Sequence, residues 1–254
     1  ITLAFAFAAT IASGATFMSV PGMAYSKGFA AIWYPATYPI AIYLGMILAI
    51  KLIKRAGDKF RSNSLPEFLG QRYNSNFLRI AFALVSILLV YYIAAQIVAA
   101  ATIFEVLLGL NYQHGILASV AVIALYITMG GSHADIMTDG IQGVMMVLIA
   151  LIIGVIFFMG VGFEGTGPSL INDALVKQDP SLGWDNYFKE GDVLFGSFWV
   201  ISLIFVAHIP FAMNPHIGKL AFALKDPKQI RTFMLIAIPV GSILGFTVLG
   251  GLHA

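Results

Sequence analysis

Seven stretches of this chain, at roughly 1–19, 30–53, 77–109, 115–130, 136–161, 195–218 and 230–252, are apolar and long. About 20 apolar residues are enough to cross a bilayer as a helix, so each is a predicted membrane span. This recurrence limits the fold more than any other feature. Inside a bilayer every backbone amide and carbonyl needs a partner within the protein, which leaves helices or closed barrels. Runs of this length select helices. Charged residues make up 10% of the chain, against about 25% in soluble domains, and the expected fold class is an all-α membrane protein. The absence of cysteine removes disulfides and thiolate metal sites. Ile1 opens the sequence without a preceding basic segment. No signal peptide is read there, and both ends read as cuts from a longer protein.

Lysine and arginine set the orientation. The 54–79 connection, with Lys51 at its edge, and the 219–231 connection hold 11 of the 14 basic residues. Basic loops face the cytoplasm, and seven spans place both connections on one side, so charge and span count agree. The opposite side carries Lys27 and the acidic 162–194 loop. Trp33, Tyr34, Tyr38 and Trp199 fall near span ends, where an interfacial aromatic belt belongs. In the cytoplasmic connection, Ser64-Leu65-Pro66-Glu67 is a helix start, with a capping serine, then proline and an acid in the first turn. The outer loop is expected to be irregular, with one short helix near 168–176.

The first span carries its own irregularity. Thr10, Ser13, Gly14 and Thr16 sit in its middle, and Pro21-Gly22 closes it. Glycine is poor in a helix interior and hydroxyls offer the backbone other partners. Two readings stand: a helix broken near mid-membrane, as transporters use to hold substrate and coupling ion, or a small-residue face where helices touch.

Several motifs, in order along the chain, carry a family resemblance. They are Ser13-Gly14-Ala15-Thr16-Phe17 with Pro21-Gly22-Met23-Ala24-Tyr25; Ser64-Leu65-Pro66-Glu67-Phe68 with Gln71-Arg72-Tyr73; Gly130-Gly131-Ser132-His133-Ala134-Asp135 with Thr138-Asp139-Gly140-Ile141-Gln142-Gly143; and Ser197-Phe198-Trp199-Val200 with Pro215-His216 and Lys225-Asp226. The set resembles the sodium/solute symporter family, and its sodium/pantothenate branch more than its sugar branch. The resemblance implies an inverted-repeat (LeuT-like) transporter bundle with sodium and solute at the repeat interface. Residues 1–161 would form the first repeat of five helices, 162–194 an extracellular loop, and 195–254 the start of the second. The family's eighth core helix, which contributes to its sodium site, has no counterpart here, so the chain would hold a half-site.

Carried over position by position, the family's carbonyl donors to sodium fall on Ala9 and Ala12, and a hydroxyl beside the ion falls on Ser13. Sodium is a hard cation that prefers oxygen. Asp139 matches an aspartate linked to sodium in the family and reads as a second-shell group. Its other reading is an interfacial acid at the start of span 5. Gln96 lies deep in an otherwise apolar run of span 3, where a buried amide needs partners. It faces the substrate or bonds a neighbouring helix. Glu105 reads as interfacial, and His133 and Asp135 as cytoplasmic loop residues. Where the sugar branch holds its sugar, this chain has Ala207 and Pro210. Nearby stand His208, Asn214, Pro215 and His216, and the two prolines each remove a backbone donor. The expected substrate-facing set is Thr10, Thr16, Gln96, Asn214 and His216.

The resemblance therefore implies a sodium-coupled symporter for a small organic solute, with a carboxylate such as pantothenate or a monocarboxylate as the expected substrate. Sodium, the solute and the lipid bilayer are its partners, with no nucleic acid, and the bacterial inner (plasma) membrane is its place. The alternative is a transporter-like sensory domain of a signalling protein. No nucleophile or acid–base constellation points to an enzyme.

Overall fold

The computed structural model describes residues 2–62, 64–164, 167–214 and 229–254, which form helices and turns with no strand among them. Among the described residues, five helical stretches are long and apolar enough to cross a membrane: Gly14–Phe60, Asn76–Leu108, Tyr112–Gly131, Ile136–Met159 and Gln229–His253. Thr2–Ile11 and Phe198–Phe211 are apolar but shorter. Among the described residues, these stretches cover five of the seven expected spans; the first is interrupted, and the sixth runs beyond the described residues.

The first span is divided into α1 (Thr2–Ile11), α2 (Gly14–Phe17) and α3 (Ser19–Lys27). A 3-10 turn leads into α4 (Trp33–Phe60), which ends where Arg61 turns left-handed. The 54–79 connection holds α5 (Leu65–Arg72), whose first turn is capped by the Glu67 amide donating to Ser64 Oγ. Span 3 is α6 (Asn76–Ile87) followed by α7 (Leu89–Leu108). Spans 4 and 5 form one bent helix, α8 (Tyr112–Met159), with its kink at Gly131 (φ 57°, ψ −153°). Only glycine takes such a conformation cheaply. The side chains of His133 and Asp135, expected to face a loop here, lie outside the described residues. The outer loop contains α9 (Ser169–Gln178) and a 3-10 turn, Pro180–Leu182. Then come α10 (Phe198–His208), a 3-10 turn over Ile209–Met213, α11 (Gln229–Leu244) and α12 (Thr247–His253).

Span 1 is the centre of the packing. Phe7 is fully buried between Tyr43 of α4 and Phe233 of α11, with ring centroids 5.8 and 5.1 Å away. On the other side α1 lies directly on α8. A Cβ on Gly143 would come within 2.6 Å of the Phe5 carbonyl oxygen, the kind of backbone approach that glycine permits between membrane helices. Towards the outer end, α3 packs on α12 and on the loop through Val20, Ala24, Phe157, Ile171, Leu182 and Leu252.

The described part of the 162–194 loop is docked against the helices. Lys27 at the end of α3 forms an ion pair with Asp192, and the Trp33 indole donates to the Tyr187 carbonyl at 2.7 Å. Burial pushes the Asp192 carboxyl up, but the Lys27 ammonium and the amides of Leu194 and Phe195 outweigh it and hold the group below its ordinary range.

Candidate ion and substrate site

The site is built from an interruption in hydrogen bonding. In an unbroken helix the amides of Ser13, Gly14 and Thr16 would bond the carbonyls of Ala9, Thr10 and Ala12. Here all three amides go elsewhere. Ser13 donates to the Ile11 carbonyl at 3.1 Å, Gly14 to Gln96 Oε1 at 2.7 Å, and Thr16 to the Ser13 carbonyl at 2.8 Å. Ser13 itself is extended, at φ −81° and ψ −177°. The Ala9, Thr10 and Ala12 carbonyls have therefore lost their helical donors in a region where Ala9 and Ala12 are 7% and 4% exposed.

Gln96 of α7 substitutes for a backbone turn. An N–H donor requires an acceptor, so the contact with Gly14 fixes which end of the amide faces the break. The Nε2 group, with two donors, is then directed away from it. Residue 14 has to be small: a Cβ there would meet Gln96 Oε1 at 2.9 Å and the Ala99 methyl at 3.4 Å. The expected polar residue of span 3 thus makes a helix–helix hydrogen bond, and its partner is the interrupted backbone.

On the α8 side, the Thr10 hydroxyl donates to the Ala6 carbonyl at 2.8 Å and lies 3.4 Å from Asp139 Oδ2. Asp139 is half-buried, facing span 1 rather than open water. The arrangement offers neutral carbonyls and the Ser13 hydroxyl at the break, with a carboxylate one residue contact further out.

Thr16 points elsewhere. With Ala8, Ala12, Tyr34, Tyr38 and Gly241 it lines a small cavity of about 30 Å³. Tyr34 and Tyr38, read from sequence as belt residues, stack on each other at 5.2 Å and Tyr38 meets the His208 ring edge-on at 4.8 Å. Their spacing of four residues, which puts both on one helical face, is the sequence signal for this inward role. The structure brings Thr10, Ser13, Gln96 and Asp139 around one interruption, while Thr16 faces the neighbouring cavity.

Span 6 loosens at its own proline. Helix α10 stops at His208, a 3-10 turn carries Pro210, and at Asn214 the backbone leaves the helix (φ −58°, ψ 141°) with its amide donating to the Phe211 carbonyl at 3.0 Å. The His208 ring bonds the Ile204 carbonyl at 2.6 Å through Nδ1. Pro215 and His216 lie outside the described residues.

Among the described residues the protein is helical, and a first span broken in its interior is consistent with a helical membrane transporter. Comparison with known proteins makes that specific: the pattern of the sodium:solute symporter family matches residues 1–254, and the chain belongs to that family. It is an integral protein of the bacterial inner (plasma) membrane. Among similar proteins, the sodium/pantothenate symporter of Escherichia coli is 28% identical over 261 residues, covering 100% of this chain and 50% of that protein. The Haemophilus influenzae sodium/pantothenate symporter is also 28% identical, covering 98% of this chain and 51% of its own length. The osmoregulated proline transporter of Bacillus subtilis is 27% identical over 91% of this chain and 47% of its own. The chain spans about half the length of these relatives. No solved structure matches it.

Proposed function

We propose that the protein containing this chain couples sodium entry to uptake of a small organic carboxylate, and that the break in span 1 supplies half of the ion site. The supporting observation is the diversion of the Ser13, Gly14 and Thr16 amides away from the Ala9, Thr10 and Ala12 carbonyls. Carbonyls that have lost their donors in a bilayer need another partner. A sodium ion is a suitable one, because neutral oxygens hold it without burying a fixed charge. Ala9 and Ala12 carbonyls and the Ser13 hydroxyl are the proposed ligands. Asp139 acts through Thr10 as a positioning residue, attracting the cation and orienting the Thr10 hydroxyl. The rest of the ion site comes from the second half of an inverted-repeat bundle.

For the solute, Gln96 offers its two Nε2 donors while Oε1 holds Gly14. Two N–H donors suit a carboxylate. Thr10, Thr16, Asn214 and His216 complete the proposed lining from spans 1 and 6. Relatives named for pantothenate and for proline both act on carboxylate-bearing solutes, which agrees with this choice.

The test is uptake by the whole protein in proteoliposomes, with labelled pantothenate and proline as probes. An inward sodium gradient should drive accumulation of one of them, and Ser13→Ala should weaken the sodium dependence. Uptake that ignores sodium and follows a proton gradient would overturn the ion assignment. Sodium-driven uptake of an uncharged sugar, with neither carboxylate carried, would overturn the substrate class.

A further inference from the structure

Between the cytoplasmic halves of α4 and α11 the fold leaves an open groove of about 640 Å³, within the ~300–1,000 Å³ typical of small-molecule sites. Ile50, Met234, Leu235 and Ile238 line its length, while Lys51 and Arg231 stand at one end. That end continues into a recess of about 130 Å³ lined by Lys51, Lys54, Arg55 and Ile230. Ile47 is 50% and Leu235 63% exposed, so the groove opens sideways. Lys54 is tied to Asp58 at 2.6 Å. Among the described residues Lys51, Arg55 and Arg231 have no carboxylate partner.

The two parts have different chemistry and a fixed order. Helices α4 and α11 run antiparallel, and the cationic recess lies at the end where the basic connections place the cytoplasm. The apolar trough extends from there towards the membrane interior. Arginine forks bind phosphate oxygens in pairs, and basic pockets between spans on the cytoplasmic side suit anionic lipid headgroups. A packed protein helix would satisfy the apolar floor, but it would have to bring its own carboxylates to Lys51, Arg55 and Arg231, which a lipid phosphate supplies without any such requirement.

We propose that this groove binds one anionic phospholipid of the cytoplasmic leaflet, with its phosphate among Lys51, Arg55 and Arg231 and an acyl chain along Ile50, Met234 and Ile238. The site is independent of the transport reading, since it shares none of the residues at the break.

The whole protein, reconstituted in nanodiscs of phosphatidylglycerol mixed with phosphatidylcholine, would be released and weighed by native mass spectrometry. Wild type should retain phosphatidylglycerol over phosphatidylcholine. Each of Lys51→Gln, Arg55→Gln and Arg231→Gln should reduce that preference about fivefold, while Arg72→Gln, off the groove, should not. Leu235→Trp, which narrows the groove without touching charge, should lower lipid retention, with helicity by circular dichroism confirming the fold. Equal losses in Arg72→Gln and the groove variants would overturn the proposal, as would no preference in wild type. A photo-crosslinker at position 235 that captures polypeptide rather than lipid would also overturn it.

Discussion

The two interrupted spans are broken by different means. In span 1 there is no proline at the break. Three amides are redirected, and a glutamine from another helix takes one of them. In span 6 the break coincides with Pro210, which tightens the helix to 3-10 before Asn214 leaves it. A proline break is local and built into the chain. In span 1 two of the three redirected amides bond locally and the third bonds a side chain 82 residues away in sequence.

Removing the distant partner should therefore have the largest effect. Gln96→Ala leaves the Gly14 amide unsatisfied and takes away the Nε2 donors, at a cost of roughly 1–3 kcal/mol. That is about 5- to 150-fold in apparent substrate affinity, measured as a rise in the half-saturating solute concentration. An unchanged constant would mean that the two breaks do not differ in the way described. Thr10→Val is smaller: loss of the Ala6 and Asp139 contacts should cost about 0.5–1.5 kcal/mol, read as weaker sodium dependence together with a rise in the half-saturating solute concentration smaller than that of Gln96→Ala. Pro210→Ala should be smaller still, below about 1 kcal/mol in thermal stability, because the adjoining turn already bonds to itself through Asn214 and Phe211. A larger loss would show that span 6 is the more finely held of the two.

The smallest expected effect concerns the outer end of span 1. The folded-state value of Asp192 is depressed, so its pairing with Lys27 stabilises the protein above the ordinary carboxylate value of about 3.9. The contribution fades as pH falls through the folded-state value. The difference in melting temperature between wild type and Asp192→Asn should therefore shrink on acidification from pH 6 to pH 3. A difference that is flat with pH would remove the ion pair from the account of how the loop docks.

The location of the first break was legible because Ser13 and Gly14 interrupt an apolar run that has no other use for them. The redirected bonds were not, since nothing local links Gly14 to Gln96. The helix start at Ser64 followed from short-range capping, which needs no tertiary context. Tyr34 and Tyr38 looked like belt residues because their position in sequence says how deep they lie, not which way they face. Nor could hydropathy distinguish core from periphery. Asn76–Leu108 and Gln229–His253 are similarly apolar, yet among the described residues only the second is substantially buried. In a bilayer lipid receives an apolar face as readily as protein does.

The central claim is that the carbonyls freed in span 1 meet sodium, and it can be tested on the backbone itself. An ester replacing the Ala12–Ser13 peptide link in the whole protein weakens the Ala12 carbonyl as a ligand while keeping every side chain. Sodium binding, measured with the radioactive ion against an ester control within α7, should weaken roughly tenfold. Sodium affinity equal to that of the control ester would contradict the claim.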